Sequence, residues 1–327
     1  MKRSTRSLLG GLFVLSSASW AYAQTATTVR VVLPQPSAAV VRTIAGVFAR
    51  QVAQRCEARV VTEGDAACAV ELAISPGIGT EGFRIEDRPG GGVKIVGSDA
   101  RGLLYGVGKL LRTSRYDRNG FAVGSWRGVS VPEKPVRGIY FATHFHNFYH
   151  DAPIAEVERY VEDLGLWGLN ALIVWYDMHH FKGFDSAEAT EFRKRIKAIC
   201  RAARKVGLDV GFACVANEGY ANSPPALRAD VKGMRGAAFS TDICTSKPEG
   251  RRYVLDNFAR LYTWAADLEP QWVMVWPYDS GGCGCQQCQP WGHGGYLRAA
   301  EPLSRLAKRE FRGAKVMLST WFFNGEE

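Results

Sequence analysis

The hydrophobic positions of the first third of the chain follow both strand and helix spacing. Short β-rich runs predict strands at residues 28–34, 69–74, 83–87 and 93–96. Turn residues 89–92 join the last two runs as a hairpin. Apolar side chains at helical spacing predict helices at 37–55 and 99–113, the second capped by Ser98 or Asp99. We therefore predict a small α+β domain over residues 24–130, with a linker-like segment at 116–134.

From residue 136 onward the pattern becomes a strict alternation of strands and helices. The predicted strands are 136–143, 171–176, 208–215, 272–276 and 315–322. The predicted helices are 154–167, 187–206, 252–268 and 296–311. Near-continuous apolar strands that alternate with helices are typical of a parallel sheet covered by helices.

Two parallel architectures compete for this second part. An open doubly wound sheet usually has a glycine-rich first loop, but residues 143–150 contain no glycine. In a (β/α)8 TIM barrel, functional polar and aromatic residues follow each strand. All five predicted strands are followed by such residues, and five of the six histidines come after the first two strands. The fold class we predict is α/β, with residues 131–327 forming an incomplete (β/α)8 TIM barrel of about five strands.

The length bears on that prediction, because a full barrel alone takes roughly 250 residues. The chain of 327 residues ends just after the fifth predicted strand. We therefore expect a fragment that lacks three strand–helix units.

The N-terminal residues are typical of a secretory signal peptide. Lys2, Arg3 and Arg6 precede a short apolar run at 8–15, and Ala21-Tyr22-Ala23 forms a small-x-small cleavage site. We predict a signal peptide over residues 1–23 and a secreted or periplasmic protein.

Composition and charge narrow the function classes. A content of 46% hydrophobic and 22% charged residues excludes a mainly disordered chain and a polytopic membrane protein. The net charge of +9 is spread along the chain, and no basic stretch is interleaved with aromatics. We expect no nucleic-acid partner and no membrane span, and the oligomeric state stays open.

Several stretches resemble a known family. Gly-Phe-Arg-Ile at 82–85, followed by residues 93–107 with Ala-Arg-Gly-Leu-Leu-Tyr-Gly at 100–106, resembles the small N-terminal domain of family 20 β-N-acetylhexosaminidases. The α-glucuronidases carry a related domain. Arg-Gly-Ile at 137–139 and Leu-Asn-Ala-Leu at 169–172 resemble the opening of the family 20 catalytic barrel. The resemblance implies a glycoside hydrolase that cleaves O-glycosidic bonds of oligo- or polysaccharides, with a carbohydrate as its partner.

One departure from that family concerns the fourth barrel strand. Family 20 enzymes place an adjacent Asp-Glu pair there, in which Glu is the general acid. Here Trp276 is followed by Pro277, Tyr278 and Asp279, so one carboxylate is present and the pair is absent. Catalysis assisted by the substrate's acetamido group is therefore not implied for this chain.

Glycoside cleavage needs a proton donor and a second group that stabilises or attacks the sugar cation. Asp279 stands in the donor's place, where Trp276 and Tyr278 offer the apolar surroundings that keep a carboxyl protonated. Glu218, after the third barrel strand, is the candidate second carboxylate. Each of the two could instead bind a sugar hydroxyl or stabilise a loop.

Further polar and aromatic residues at strand ends are candidates for substrate binding. His144 and His146 are two residues apart, which places them on one side of an extended segment. Flat rings stack on the apolar faces of sugars. The candidate substrate-binding residues are His144, His146, Asp177, Asn217, Tyr278 and Trp321.

The eight cysteines include a dense cluster at Cys283, Cys285 and Cys288. In an exported protein we favour a disulfide there, or a pairing with Cys244, over a zinc site completed by His293. Cys56 and Cys68 could close a small loop. We accordingly predict no cofactor and no metal.

Two other functions stay open. The chain could be a non-catalytic or inactive carbohydrate-binding protein. It could also be a metal-dependent barrel hydrolase, because a His-x-His motif after the first barrel strand can bind zinc.

Overall fold

A computed structural model describes residues 25–233, 241–277, 282–321 and 323. The predicted signal peptide lies outside these residues, as do Tyr278 and Asp279. The elements of the first part are β1 (Thr28–Val32), α1 (Ala39–Ala53), β2 (Arg59–Val61), β3 (Cys68–Ile74), β4 (Phe83–Asp87), β5 (Val93–Gly97), α2 (Ala100–Thr113), β6 (Arg115–Tyr116), β7 (Phe121–Ala122) and β8 (Gly128–Ser130). Those of the second part are β9 (Gly138–Phe141), α3 (Phe148–Asp151), α4 (Ile154–Leu166), β10 (Ala171–Trp175), α5 (Ala187–Lys205), β11 (Asp209–Val215), α6 (Pro248–Ala265), β12 (Trp272–Trp276), α7 (Leu297–Glu310) and β13 (Lys315–Leu318).

The first sheet has the order β2-β1-β3-β5-β4-β8. Strands β1, β2, β3 and β5 pair in parallel, and β4 is antiparallel to both of its neighbours. Asp99 caps α2, because its side chain accepts the backbone N–H of Gly102 at 2.8 Å. The predicted α+β elements are therefore confirmed, and Asp99 is the capping residue of the two considered.

The segment predicted as a linker contains β7, β8 and the last residue of β6. β6 and β7 form a small hairpin, and β8 pairs with β4. The linker prediction is wrong for this segment, because strands of two or three residues are too short to produce a hydrophobic period. β2 was missed for the same reason.

The second sheet has the order β13-β12-β11-β10-β9, and all neighbouring strands are parallel. This sequential order confirms the five predicted strands. It differs from a doubly wound sheet, in which the strand order reverses.

The two faces of the second sheet are covered differently. Side chains such as Leu172, Val174 and Phe212 join the main core beneath the helices. The opposite face carries a separate apolar cluster of Ala171, Ile173, Trp175, Ala213, Val215 and Trp272. Because successive strand residues point to opposite faces, β10 contributes to both cores.

The two sheets are joined by close helix packing. A Cβ atom added at Gly108 of α2 would lie 1.9 Å from the carbonyl oxygen of Leu166 at the end of α4. Only glycine allows the two helices to approach this closely.

Among the described residues, the helices are all too short or too polar to cross a membrane.

Candidate functional site

The carboxyl ends of the parallel strands β9 to β12 meet at one edge of the second sheet. The first loop at this edge is a 3-10 turn over Thr143–Phe145. His146 then adopts a left-handed conformation with φ of 46°. The side chain of Asn147 caps α3 by accepting the backbone N–H of Tyr149 at 3.0 Å. The expectation that His144 and His146 share an extended segment is therefore wrong, since the chain turns sharply between them.

His144 and His146 nevertheless reach the same cavity by different routes. His144 is buried, with its ring centroid 4.7 Å from that of Trp175. His146 is exposed, and its ring centroid lies 4.3 Å from that of His150. Among the described residues, the cavity of about 580 Å³ is lined by His144, His146, His150, Asp177, His180, Phe181, Glu188, Glu191, Phe192 and Arg195.

Two carboxyl groups and an imidazole meet at the wall of this cavity. The ring Nδ1 of His179 lies 2.7 Å from Asp177 Oδ1 and 2.6 Å from Glu218 Oε1. Glu218 Oε1 also accepts the backbone N–H of His179 at 3.0 Å. Asp177 and Glu218 are 1% and 2% exposed, so water contributes little to their solvation. Asp177 lines the cavity, and Glu218 does not.

Burial and mutual contacts set the charges of this group. Burial alone would raise the pKa of Asp177, but hydrogen bonds with Glu218 and His179 outweigh it and hold that pKa at about 2. Burial raises the pKa of Glu218 well above its ordinary value, and the charge of Asp177 adds to the effect. Burial disfavours the His179 cation, but the contacts with Asp177 and Glu218 raise its pKa to about 10. At neutral pH Asp177 is therefore negative and His179 positive, and Glu218 is the member of the group whose protonated form burial favours.

Asn217 is fully buried beside this group. The side-chain NH2 of Asn217 donates to the backbone carbonyl of Ile243 at 3.1 Å, and the backbone carbonyl of Asn217 accepts the Ile243 N–H at 2.8 Å. Asn217 thus positions the segment that carries Cys244, and its predicted contact with substrate stays a prediction.

At the same edge, aromatic rings cover the face of the sheet that carries Ile173 and Trp175. The ring centroid of Trp276 lies 5.6 Å from that of Trp175, 6.4 Å from that of Tyr140 and 6.1 Å from that of Trp321. Tyr140 and Trp321 are exposed at 46% and 49%. We call Tyr140, Trp175, Trp276 and Trp321 the aromatic surface.

Tyr278 and Asp279 follow β12 directly in the chain and lie outside the described residues. Two hydrogen bonds from side chains hold the end of β12 itself in place. The indole Nε1 of Trp291 donates to the carbonyl of Pro277 at 3.2 Å, and the Tyr296 hydroxyl donates to the carbonyl of Val275 at 2.8 Å. The predicted roles of Asp279 and Tyr278 stay predictions.

The eight cysteines all lie in the described residues, and all are free thiols. This contradicts the expected disulfides, including the one between Cys56 and Cys68. The sulfur atoms of Cys244, Cys283, Cys285 and Cys288 converge to within 4.8 Å of one another. His293, expected beside the cluster, is exposed and is not part of it.

Sequence reasoning missed two of the residues that the structure brings together. His179 was one of several histidines after β10, and the spacing did not single it out as the contact of both carboxyls. Cys244 was considered for a disulfide, but its place as the fourth member of a thiol cluster depends on loop positions that no local pattern records.

Comparison with known proteins adds information at the level of the fold. No protein-family model matches the sequence, and no curated protein matches it either. Solved structures do match. The family 20 β-N-acetylhexosaminidase from Streptomyces coelicolor aligns with a TM-score of 0.62 and 16% identity, covering 89% of this chain and 61% of that chain. An inactive mutant of the family 20 exo-β-N-acetylglucosaminidase from Vibrio harveyi aligns with a TM-score of 0.65 and 12% identity, covering 90% of this chain and 52% of that chain.

These alignments confirm the resemblance to family 20 enzymes as a likeness of fold. The chain spans between about half and three-fifths of the length of the solved structures that it matches, with 50% to 61% of each of the first three covered. The match extends over both sheets, since it covers about nine-tenths of this chain.

Proposed function

We propose that the protein is a glycoside hydrolase that cleaves an O-glycosidic bond of an oligo- or polysaccharide. The sugar would bind at the carboxyl ends of β9 to β12. One observation carries this proposal. The ionised Asp177 and the aromatic surface lie at the same edge of a sheet whose fold is similar to that of family 20 glycosidases.

Asp279 is the proposed general acid. It comes three residues after Trp276, at the strand end where family 20 enzymes carry their proton donor. Aromatic neighbours would keep its carboxyl protonated, as this step requires.

Asp177 is the proposed partner of the general acid. Its low pKa keeps it negative, and it lines the cavity, so it can stabilise positive charge that develops on the sugar ring. Glu218 does not line the cavity and, in this proposal, holds His179 against Asp177 rather than acting as the second catalytic carboxylate.

The aromatic surface is the proposed sugar platform. Trp321 is half exposed next to Trp276, a position in which the indole face is accessible to a pyranose ring. His144, whose ring lies against Trp175, borders both the aromatic surface and the cavity.

Two further proposals accompany this function. The five strands would correspond to the first five strands of a (β/α)8 barrel, which the sequential strand order supports. The protein would be exported, which the signal-peptide pattern at residues 1–23 supports. Expression in a bacterium followed by mass spectrometry tests export, since a mature chain beginning at Gln24 is expected.

The test of the main proposal is turnover of a panel of aryl glycosides, including N-acetylglucosaminides and glucuronides. At least one should be hydrolysed, and Asp279→Asn should lower kcat by about 100-fold or more, since this is the typical contribution of a positioned acid. Asp256→Asn, which changes an exposed carboxylate on α6, is the matched control and should retain activity.

A second function is favoured by the absence of the Asp-Glu pair after β12. If oligosaccharides bind but no glycoside is cleaved, the protein is a carbohydrate-binding module, and the hydrolase proposal fails. If neither binding nor cleavage occurs with any sugar tested, both proposals fail.

A further inference from the structure

Four thiols that the proposed hydrolysis does not use converge between two loops. Cys244 lies between β11 and α6, and Cys283, Cys285 and Cys288 lie between β12 and α7. The Sγ atom of Cys244 is 3.8 Å from that of Cys285 and 3.9 Å from that of Cys288. All four sulfur atoms lie within 4.8 Å of one another.

These distances match the geometry of a tetrahedral metal–thiolate site. Zinc–sulfur bonds of about 2.3 Å at tetrahedral angles place neighbouring sulfur atoms about 3.8 Å apart. A disulfide would instead bring two sulfurs to about 2.05 Å and separate that pair from the others. Cys244 is nearly equidistant from two thiols, which is the arrangement of ligands around a shared centre.

We propose that Cys244, Cys283, Cys285 and Cys288 bind one zinc ion in a closed, all-thiolate structural site. Four thiolates complete the tetrahedron, so no position remains for a water or a substrate. On binding, the four thiols lose their protons, which makes the affinity fall as the pH is lowered.

The backbone around the cluster is shaped to present the ligands. The N–H groups of Cys288 and Gln289 both donate to the carbonyl of Cys285, at 2.9 Å and 3.1 Å, which closes a tight turn between the last two ligands. A Cβ atom at Gly284 would lie 2.0 Å from the carbonyl oxygen of Lys232, so only glycine fits between Cys283 and Cys285.

Polar groups near the cluster suit a site with net negative charge. The hydroxyl of Ser246 lies 3.0 Å from Cys244 Sγ and 3.5 Å from Cys285 Sγ, within reach to donate a hydrogen bond to a thiolate. Such outer contacts orient ligands and stabilise the metal.

The consequence is a link between the loops on either side of the proposed sugar site. The Cys244 segment is hydrogen-bonded to Asn217, next to Glu218. Cys283 follows Asp279 by four residues in the chain. The zinc ion would therefore fix the loop after β11 to the loop after β12, whatever reaction the protein catalyses.

The experiment measures metal content and thiol state on the purified full chain. We expect one zinc per chain by mass spectrometry of metals, and X-ray absorption should show four sulfur ligands at about 2.3 Å. Cys285→Ser, which changes the most accessible ligand, should lose most of the zinc. Cys68→Ser, a half-buried thiol of the first sheet, is the matched control and should retain it.

Other results would contradict the proposed zinc site. One is a chain without zinc whose mass is lower by the four hydrogens of two disulfides. Another is a chain with four free thiols that takes up no zinc when the metal is added. Oxygen or nitrogen ligands in the absorption spectrum would also contradict it. The absorption measurement uses the wild-type protein, so it tests the zinc site even if Cys285→Ser does not fold.

Discussion

Glu218 Oε1 accepts two hydrogen bonds from His179, one from the backbone N–H at 3.0 Å and one from ring Nδ1 at 2.6 Å. This double contact ties the loop after β10 to the loop after β11. The contacts with Glu218 and His179 also hold the pKa of Asp177 at about 2, which keeps Asp177 ionised at the cavity wall. Burial raises the pKa of Glu218 well above its ordinary value, so burial favours the protonated form of this carboxyl.

The raised pKa of Glu218 leads to a prediction about two substitutions. Glu218→Gln retains one acceptor and one donor in the same shape, so stability at pH 7 should change by less than about 1 kcal/mol. Glu218→Ala leaves His179 and Asp177 short of a buried partner and should cost about 3 kcal/mol. Urea unfolding at pH 7 measures the loss of stability in each variant. A large loss in the Gln variant would show that Glu218 is ionised.

His179 predicts how stability changes with alkaline pH. Its pKa is raised from 6.5 to about 10 in the folded protein, so its contribution is fully present below about pH 6.5. That contribution is lost as the pH rises towards 10. Wild-type protein should therefore lose more stability between pH 7 and pH 10 than His179→Gln does.

The control for this titration is His180→Gln. Burial lowers the pKa of His180, so its imidazole is neutral over the same pH range and contributes no alkaline loss. Thermal unfolding at several pH values compares the three proteins. Equal alkaline slopes in wild type and His179→Gln would contradict the raised pKa.

The strand–helix alternation of the second sheet was predictable from sequence because it is a local signal. The run from Ala171 to Trp175 is apolar on both faces, which identifies a buried parallel strand without knowledge of its neighbours. The cap at Asp99 is equally local, since its carboxylate reaches an N–H three residues away.

The geometry of the site was less predictable because it depends on turns and on contacts between distant residues. The left-handed backbone at His146 separates it from His144, and alternation within an extended segment does not describe such a turn. The contact between His179 and Glu218 joins residues 39 positions apart, and Cys244 meets Cys285 from 41 positions away. No spacing rule within one element encodes these pairs.

The junction between the two sheets yields a third prediction. Glu81 accepts hydrogen bonds from Arg101 at 2.9 Å, from Asn170 at 3.2 Å and from Arg137. Burial alone would raise the pKa of Glu81, but these donors outweigh it and lower the pKa below 4.5. Glu81→Gln should reduce the free energy of unfolding at pH 7 by about 3 kcal/mol, because two arginines lose their buried counter-charge.

The difference between wild type and Glu81→Gln should shrink as the pH falls below about 4, since the depressed pKa stabilises the fold only while Glu81 is ionised. Glu86→Gln is the control. Its exposed pair with Arg84 at 2.8 Å should contribute less than about 0.5 kcal/mol. If the two variants lose the same stability, the Glu81 junction does not hold the sheets together.

The aromatic surface gives the fourth prediction, which concerns sugar binding. Trp321 is 49% exposed, and its ring centroid lies 6.1 Å from that of Trp276, so its removal shortens the platform without opening a core. An aromatic contact of this kind contributes about 1 kcal/mol, and Trp321→Ala should therefore weaken oligosaccharide binding about five- to tenfold.

Trp167→Ala is the matched control, because Trp167 is 69% exposed but packs on Arg112 at the end of α4. Calorimetric titration with a series of oligosaccharides compares the two variants with wild type. Equal affinities for wild type and Trp321→Ala would place the sugar elsewhere, since a ring that stacks on the substrate cannot be removed without loss of binding energy.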